Sequence, residues 1–242
     1  MASLINNELK LSIIIPTLNE EGRLRALFSK LSQFDQEKEI IIVDGGSNDG
    51  TLNLANALGA KTISCTESNR GKQLRKGACI ATGKWFLFLH ADSKLYNNWS
   101  YLVSKAMAEN SSSSKAWFFD FKINLKGWHF RLLELGVSLR SHFFQRPYGD
   151  QGLLIAKSLY RELGGFSEIP LMEDLEFAIR ISEVAVFKGL GNGIETDGRK
   201  WEDKNILLIA LENLKLRRRW RAGEDPRELF HDYYKASNKF KK

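Results

Sequence analysis

The chain of 242 residues is 43% hydrophobic and 27% charged, which excludes a mostly disordered polymer and suits one α/β domain or two small ones. Two cysteines, Cys65 and Cys79, exclude a disulfide scaffold and point to a reducing compartment, and four scattered histidines give no structural zinc set. Six of the seven net positive charges accumulate from Arg199 onward, where thirteen basic residues face seven acidic ones, so a partner of a positive field belongs at that end.

Met1–Lys10 lacks the basic-then-apolar order of a signal peptide. No apolar run reaches the roughly 18 residues of a membrane span. The expectation is a cytoplasmic protein, with peripheral membrane contact left open. Leu11–Pro16 is a β-branched run that reads as a buried strand. Asn19-Glu20-Glu21 opens an amphipathic helix to about Leu31, with Leu24, Leu27, Phe28 and Leu31 at helical spacing. Glu39–Asp44 is a second buried strand, stopped by the turn-rich Gly45–Gly50. A helix over Thr51–Leu58, a strand over Lys61–Cys65, a helix over Gly71–Thr82 and a strand over Lys84–His90 follow.

That alternation predicts an α/β fold: a Rossmann-like, mainly parallel central sheet with helices on both faces. Ligands in such sheets sit beyond the carboxyl ends of the strands. Those ends are Pro16-Thr17, Asp44-Gly45, Glu67–Arg70 and His90–Asp92.

The second half is less regular. Ala116–Ile123 alternates loosely as a strand, and Trp128–Phe144 is amphipathic, with Leu132, Leu135, Leu139 and Phe143 near one face. Gln151–Ala156 reads as a strand, Lys157–Leu163 as a helix ended by Gly164-Gly165, Glu173–Ile181 as a helix and Val184–Leu190 as a strand. Helices over Asn205–Trp220 and from Pro226 to about Tyr234 close the chain. The expected division is an α/β domain over 1–204 and a basic helical extension over 205–242.

Four motifs come in order: Ile15-Pro-Thr-Leu-Asn-Glu20, Val43-Asp-Gly-Gly-Ser-Asn-Asp-Gly-Thr51, Leu89-His-Ala-Asp92 and Met172-Glu-Asp174. Together they resemble the family 2 glycosyltransferases of GT-A fold, over roughly residues 10–200. Tyr148-Gly-Asp-Gln-Gly152, Gly164-Gly-Phe166, Pro170–Asp174 and Thr196–Trp201 bring the chain nearer to the subgroup called arsenosugar-biosynthesis-type glycosyltransferases, which has Ser where Asp197 stands.

The resemblance implies inverting sugar transfer from a nucleoside diphosphate donor, UDP above all, to a hydroxyl acceptor. It places Pro16, Thr17, Asn19 and Glu20 around the base and ribose, Asp44 and Gly45 at the uracil, and Arg70 and Lys72 on the nucleotide. It gives Asp92 to a divalent cation, Mg²⁺ or Mn²⁺, with His90 replacing the usual first Asp. Asp174 becomes the general base, assisted by Glu173, while Asp150 and Gln151 line the acceptor side and Arg199 and Trp201 meet the diphosphate and acceptor.

Each position also has a structural reading. Asp44 suits a turn carboxylate, Thr17 and Asn19 a helix cap, Arg70-Gly-Lys72 a solvated basic turn, and Asp150-Gln151 a turn. Glu173-Asp174 suits a helix N-terminal dipole, and Arg199–Trp201 a helix start. Arg217–Arg221 is a solvated face or an anionic-lipid contact; nucleic acid is not expected, because no nucleic-acid fold signature accompanies it. Two other functions remain in view, a nucleotidyltransferase and a non-catalytic module binding anionic lipid or nucleic acid. The first would carry a Gly-rich basic loop where Pro16–Asn19 stands, and the second leaves Asp44, Asp92 and Asp174 without a purpose.

Overall fold

The computed structural model describes residues 10–109, 114–195 and 206–239. Strands β1 (Leu11–Thr17), β2 (Lys38–Asp44), β3 (Lys61–Ser64) and β4 (Trp85–Phe88) pair in parallel, in the order β3-β2-β1-β4. Helices α1 (Glu21–Leu31), α2 (Thr51–Ala57) and α3 (Arg70–Ile80) connect them. Alternation along β1 makes the two layers. Leu11, Ile13 and Ile15 face the core shared with Leu24, Leu27 and Leu31 of α1, while Ile14 faces Leu74 and Ala78 of α3 on the other side.

Beyond β4 the sheet departs from the parallel pattern. Strand β7 (Leu153–Ala156) runs antiparallel to β4 and to β6 (Lys115–Phe118), and β8 (Val186–Gly189) closes the edge parallel to β6. Among the described residues this sheet has seven strands, and a two-stranded ribbon joins β5 (Lys94–Leu95) to β9 (Ile194–Glu195). Helix α4 (Trp99–Met107), which the sequence reading passed over, buries Trp99, Val103 and Met107 on the α1 face. Trp99, Val103, Ala106 and Met107 stand at helical spacing, with Ser100, Tyr101, Ser104 and Lys105 on the opposite face, so the period is present in the sequence.

The expected strand over Ala116–Ile123 ends at Phe118; Phe121 and Ile123 leave the sheet and pack on Phe130. The strand expected from Gln151 begins at Leu153, because Gly149–Gln151 forms a 3₁₀ turn. Helix α5 (Trp128–Ser138) runs into a π-helical turn over Leu139–Phe143. Its Leu132, Leu135, Leu139 and Phe143 all point away from the core. Helices α6 (Lys157–Glu162) and α7 (Glu173–Val184) cover the α3 face, with Phe177, Ala178 and Ile181 buried. The chain ends in α8 (Ile206–Arg221) and α9 (Pro226–Lys239). No helix among the described residues is long and apolar enough to cross a membrane.

Candidate active site

The carboxyl ends of β1 and β2 lie side by side, Pro16 opposite Val43 and Thr17 opposite Asp44. Asp44 is buried, and its carboxylate is committed to the turn that follows. Oδ2 accepts from the backbone N–H of Gly46 (3.0 Å) and Ser47 (2.8 Å), and Oδ1 from the hydroxyls of Ser47 (2.5 Å) and Thr17 (3.3 Å). This is the turn-carboxylate arrangement, and it fixes the loop whose Gly45 and Gly46 line the strand ends.

Asn19 adopts a left-handed backbone (φ 55°), and its Oδ1 accepts from the Asn48 N–H at 2.8 Å. The Glu20 N–H donates to Thr51 Oγ1 at 2.8 Å, while the Glu20 carboxylate pairs with Arg23. The loops after β1 and β2 are thus laced into one rim. Gln73 of α3, absent from the sequence reading, braces that rim from below: its Nε2 donates to the Thr17 and Val43 carbonyls at 3.0 and 2.7 Å.

On α3, Asn69 caps the helix by accepting from the Lys72 N–H at 2.9 Å, and Lys72 Nζ stands 3.8 Å from Glu67. Arg70 crosses to the first turn of α7, where it pairs with Glu173 and lies 3.8 Å from Asp174 Oδ2. One cation from the nucleotide side therefore serves two carboxylates. Glu173 is fully buried, and its Oε2 has no hydrogen-bond partner among the described residues. Burial, with Asp174 next to it, outweighs Arg70 and pushes the Glu173 carboxyl up to about 7.

Asp174 is more open. Its Oδ2 accepts from the Gly149 N–H at 2.9 Å and its Oδ1 from the Leu175 N–H at 2.7 Å. Gly149 is hemmed in by the site itself, since a methyl group there would stand 2.8 Å from His90 Nε2 and 3.4 Å from Asp174 Oδ2. His90, at the end of β4, and Asp174 therefore face one another across Gly149. His90, Glu173 and Asp174 line one cavity with Tyr148 and the apolar Leu74, Phe88 and Phe166.

Asp92 is half-buried in the turn closed by the Ser93 N–H on the His90 carbonyl (3.2 Å). Among the described residues no three His, Cys, Asp or Glu side chains stand close enough to cage a metal. The His90–Asp92 turn offers one carboxylate and one imidazole. Such a set fits a cation that completes its shell with diphosphate oxygens and water.

Asp150 and Gln151 differ in character. Gln151 is buried and supports its surroundings: Oε1 accepts from Arg140 (3.0 Å) and Ser141 (2.7 Å), and Nε2 donates to the Phe119 carbonyl (3.2 Å). Asp150 is half-buried, near enough to Arg140 to interact with its charge. The Arg140 guanidinium stacks on the Tyr148 ring at 3.5 Å, and Arg217 of α8 reaches the same ring and hydroxyl. Tyr148, Arg140 and Arg217 were missed as site residues. The Tyr148–Gly152 motif was a usable signal for the first, whereas the partnership of two distant arginines has no local signature. Arg199 and Trp201 lie outside the described residues.

Residues 12–162, more than half of the chain, match the sequence model of glycosyl transferase family 2. The chain belongs to that family. This glycosyl transferase family 2 member is 41% identical over 92 residues to a PGL/p-HBAD biosynthesis glycosyltransferase of Mycobacterium bovis. The match covers 35% of this chain and 36% of the relative, so the chain spans little more than a third of that protein.

Two solved structures share its architecture. S. aureus TarS 1-349 in complex with UDP-GlcNAc superposes with a TM-score of 0.62 at 19% identity, covering 78% of this chain and 58% of that one. The mannosyltransferase PcManGT of Pyrobaculum calidifontis, in complex with GDP-Man and Mn²⁺, gives 0.63 at 16% identity, covering 86% and 60%. At such identities the likeness establishes the fold, which is GT-A: one central, mostly parallel sheet with flanking helices.

Proposed function

We propose that this glycosyltransferase transfers a sugar with inversion from a nucleoside diphosphate donor, UDP in our reading, to a hydroxyl acceptor. The observation that carries the proposal is the convergence of His90, Asp174 and Arg70 around Gly149, beyond the carboxyl ends of the parallel strands and beside the rim of Thr17, Asn19, Asp44 and Gly45. The rim takes the nucleotide, with Pro16, Glu20 and Lys72 at its edges. Its backbone supplies the approach, because the Asp44 carboxylate is occupied by the turn it holds.

Asp174 is the general base. Gly149 N–H and Arg70 orient Oδ2 as the group that takes a proton from an acceptor hydroxyl. Glu173, buried in the first turn of α7 and paired with Arg70, positions that arginine rather than touching the reacting atoms. Arg70 in turn joins the nucleotide side to the base. A divalent cation, Mg²⁺ or Mn²⁺, would be held by Asp92 with His90 beside it, and would supply positive charge to the leaving diphosphate. Asp150 belongs to the acceptor side, and Arg199 and Trp201 keep the role toward diphosphate and acceptor that the resemblance implies, while Gln151 holds the frame behind Tyr148.

The division into a catalytic domain over 1–204 and a basic extension over 205–242, the arsenosugar-type affinity, a cytoplasmic location and peripheral contact of the basic tail with anionic membrane complete this reading. The mannosyltransferase bound to GDP-Man makes the choice of base the first matter to test. Thermal stabilisation by a panel of UDP- and GDP-linked sugars, each with Mn²⁺ or with chelator, addresses it. Stabilisation by a UDP-sugar that chelator abolishes is expected; none by any nucleotide sugar would refute the proposal.

A further inference from the structure

Helix α5 and the π turn after it expose an apolar stripe. Trp128 is 75% exposed, Leu132 and Leu135 56%, Leu139 53%, and Phe143 82%, with Phe144 beside it at 67%. The spacing from Trp128 through Leu132, Leu135 and Leu139 to Phe143 is that of one helical face, roughly 22 Å long at 1.5 Å per residue. Isolated exposed apolar residues are ordinary in a soluble domain, but six large ones on one segment need a partner.

The charges around the stripe select that partner. Lys126, His129 and Arg131 are exposed along it. The single acid between Lys126 and Tyr148, Glu134, is buried against Arg131, Lys122 and the Ile123 N–H. The segment itself therefore exposes apolar and basic groups and no carboxylate of its own, and Asp120 at its far end is held by His142. At its far end, Arg140 stacks on Tyr148, and Arg217 binds the same ring and brings the basic helix α8 to this place, with Arg218 and Arg221 exposed. A second copy of the chain seated on the stripe would bring like charges together. An anionic lipid surface would not.

We infer that the α5 face is a bilayer-docking surface, in which Trp128, the leucines and Phe143-Phe144 enter the headgroup boundary of an anionic phospholipid membrane while Lys126 and the exposed α8 arginines meet the phosphates. The inference goes beyond a tail held by charge alone, because it requires apolar insertion through α5. It stands independently of which sugar is transferred. The π turn at the end of the stripe leads through Pro147-Tyr148 to Gly149, so a docked chain holds its candidate site close to the lipid surface.

The test is flotation of the full chain with vesicles of phosphatidylcholine alone and of phosphatidylcholine mixed with phosphatidylglycerol. Wild type is expected to float with the mixed vesicles and to retain part of that binding in high salt. Leu135→Glu with Leu139→Glu is expected to reduce partitioning at least tenfold without changing the melting temperature. Quenching of tryptophan fluorescence by brominated lipid, lost in Trp128→Phe, gives a second measurement that does not depend on the double variant folding. Absence of flotation at low salt overturns the inference. So does full binding by the double variant, which would assign the contact to the tail. A wild-type dimer in light scattering that the double variant abolishes, with no vesicle binding, would overturn it in favour of a second copy.

Discussion

Glu173→Gln removes one proton-binding site and little else, because the amide oxygen can still accept from Arg70. In the folded protein the Glu173 carboxyl is raised from 4.5 to about 7, chiefly by burial. The native state therefore holds this proton more tightly than the unfolded chain does. Its contribution to stability is complete below about pH 4.5 and is lost as pH rises through about 7. At about 1.4 kcal/mol for each pH unit between the two values, the loss is about 3 kcal/mol. Glu39, the other buried carboxylate with a large shift, is lowered to about 2 by Lys61, Ser12 and Thr82 and titrates outside this window. Urea unfolding of wild type and Glu173→Gln across the window isolates the effect. The variant should gain on wild type as pH rises, by about 3 kcal/mol in all. A stability difference that stays flat with pH would refute the reasoning and show that the Arg70 ion pair, rather than burial, sets the charge of this group.

Three further outcomes are expected. Asp174→Asn should lose about 10²- to 10⁴-fold in transfer rate with UDP affinity within a few-fold of wild type; near-normal turnover, with about 1 kcal/mol or less of lost stability, would return Asp174 to a helix-terminus role. Asp92→Ala should abolish the gain in UDP affinity that Mn²⁺ or Mg²⁺ gives, and calorimetry showing metal-independent binding in wild type would remove the cation from Asp92. Gly149→Ala should displace His90, since its methyl group would lie 2.8 Å from the imidazole, and so reduce activity at least tenfold; an active, unperturbed variant would show that the close approach of Gly149 to His90 is not needed.

The order β1-α1-β2-α2-β3-α3-β4 was legible because each element carries a strong local period: β-branched runs for the strands and leucines at helical spacing for α1. Asp44, His90 and Asp174 were legible as candidates because they follow a strand or open a helix at the edge where such folds bind ligands. Composition and net charge located the basic end of the chain. Local pattern could not give the direction of β7, which depends on a long return of the chain through α5, whereas α4 does carry a helical period in Trp99, Val103, Ala106 and Met107. Nor could it distinguish a buried amphipathic face from an exposed one: Leu132 and Leu135 have the spacing of core residues, yet the core on that side was already filled by Phe121, Ile123 and Phe130. The same holds within the site. The Asp44 carboxylate, a ligand candidate by position, accepts from three donors of its own loop and one of Thr17. Arg70, a nucleotide candidate by position, spans to Glu173 more than a hundred residues away. Sequence determines which groups stand at which ends of which elements, since propensity and periodicity act over a few residues. Which groups meet, which are buried and which carboxyl keeps its proton depend on the surroundings that only the closed tertiary fold creates.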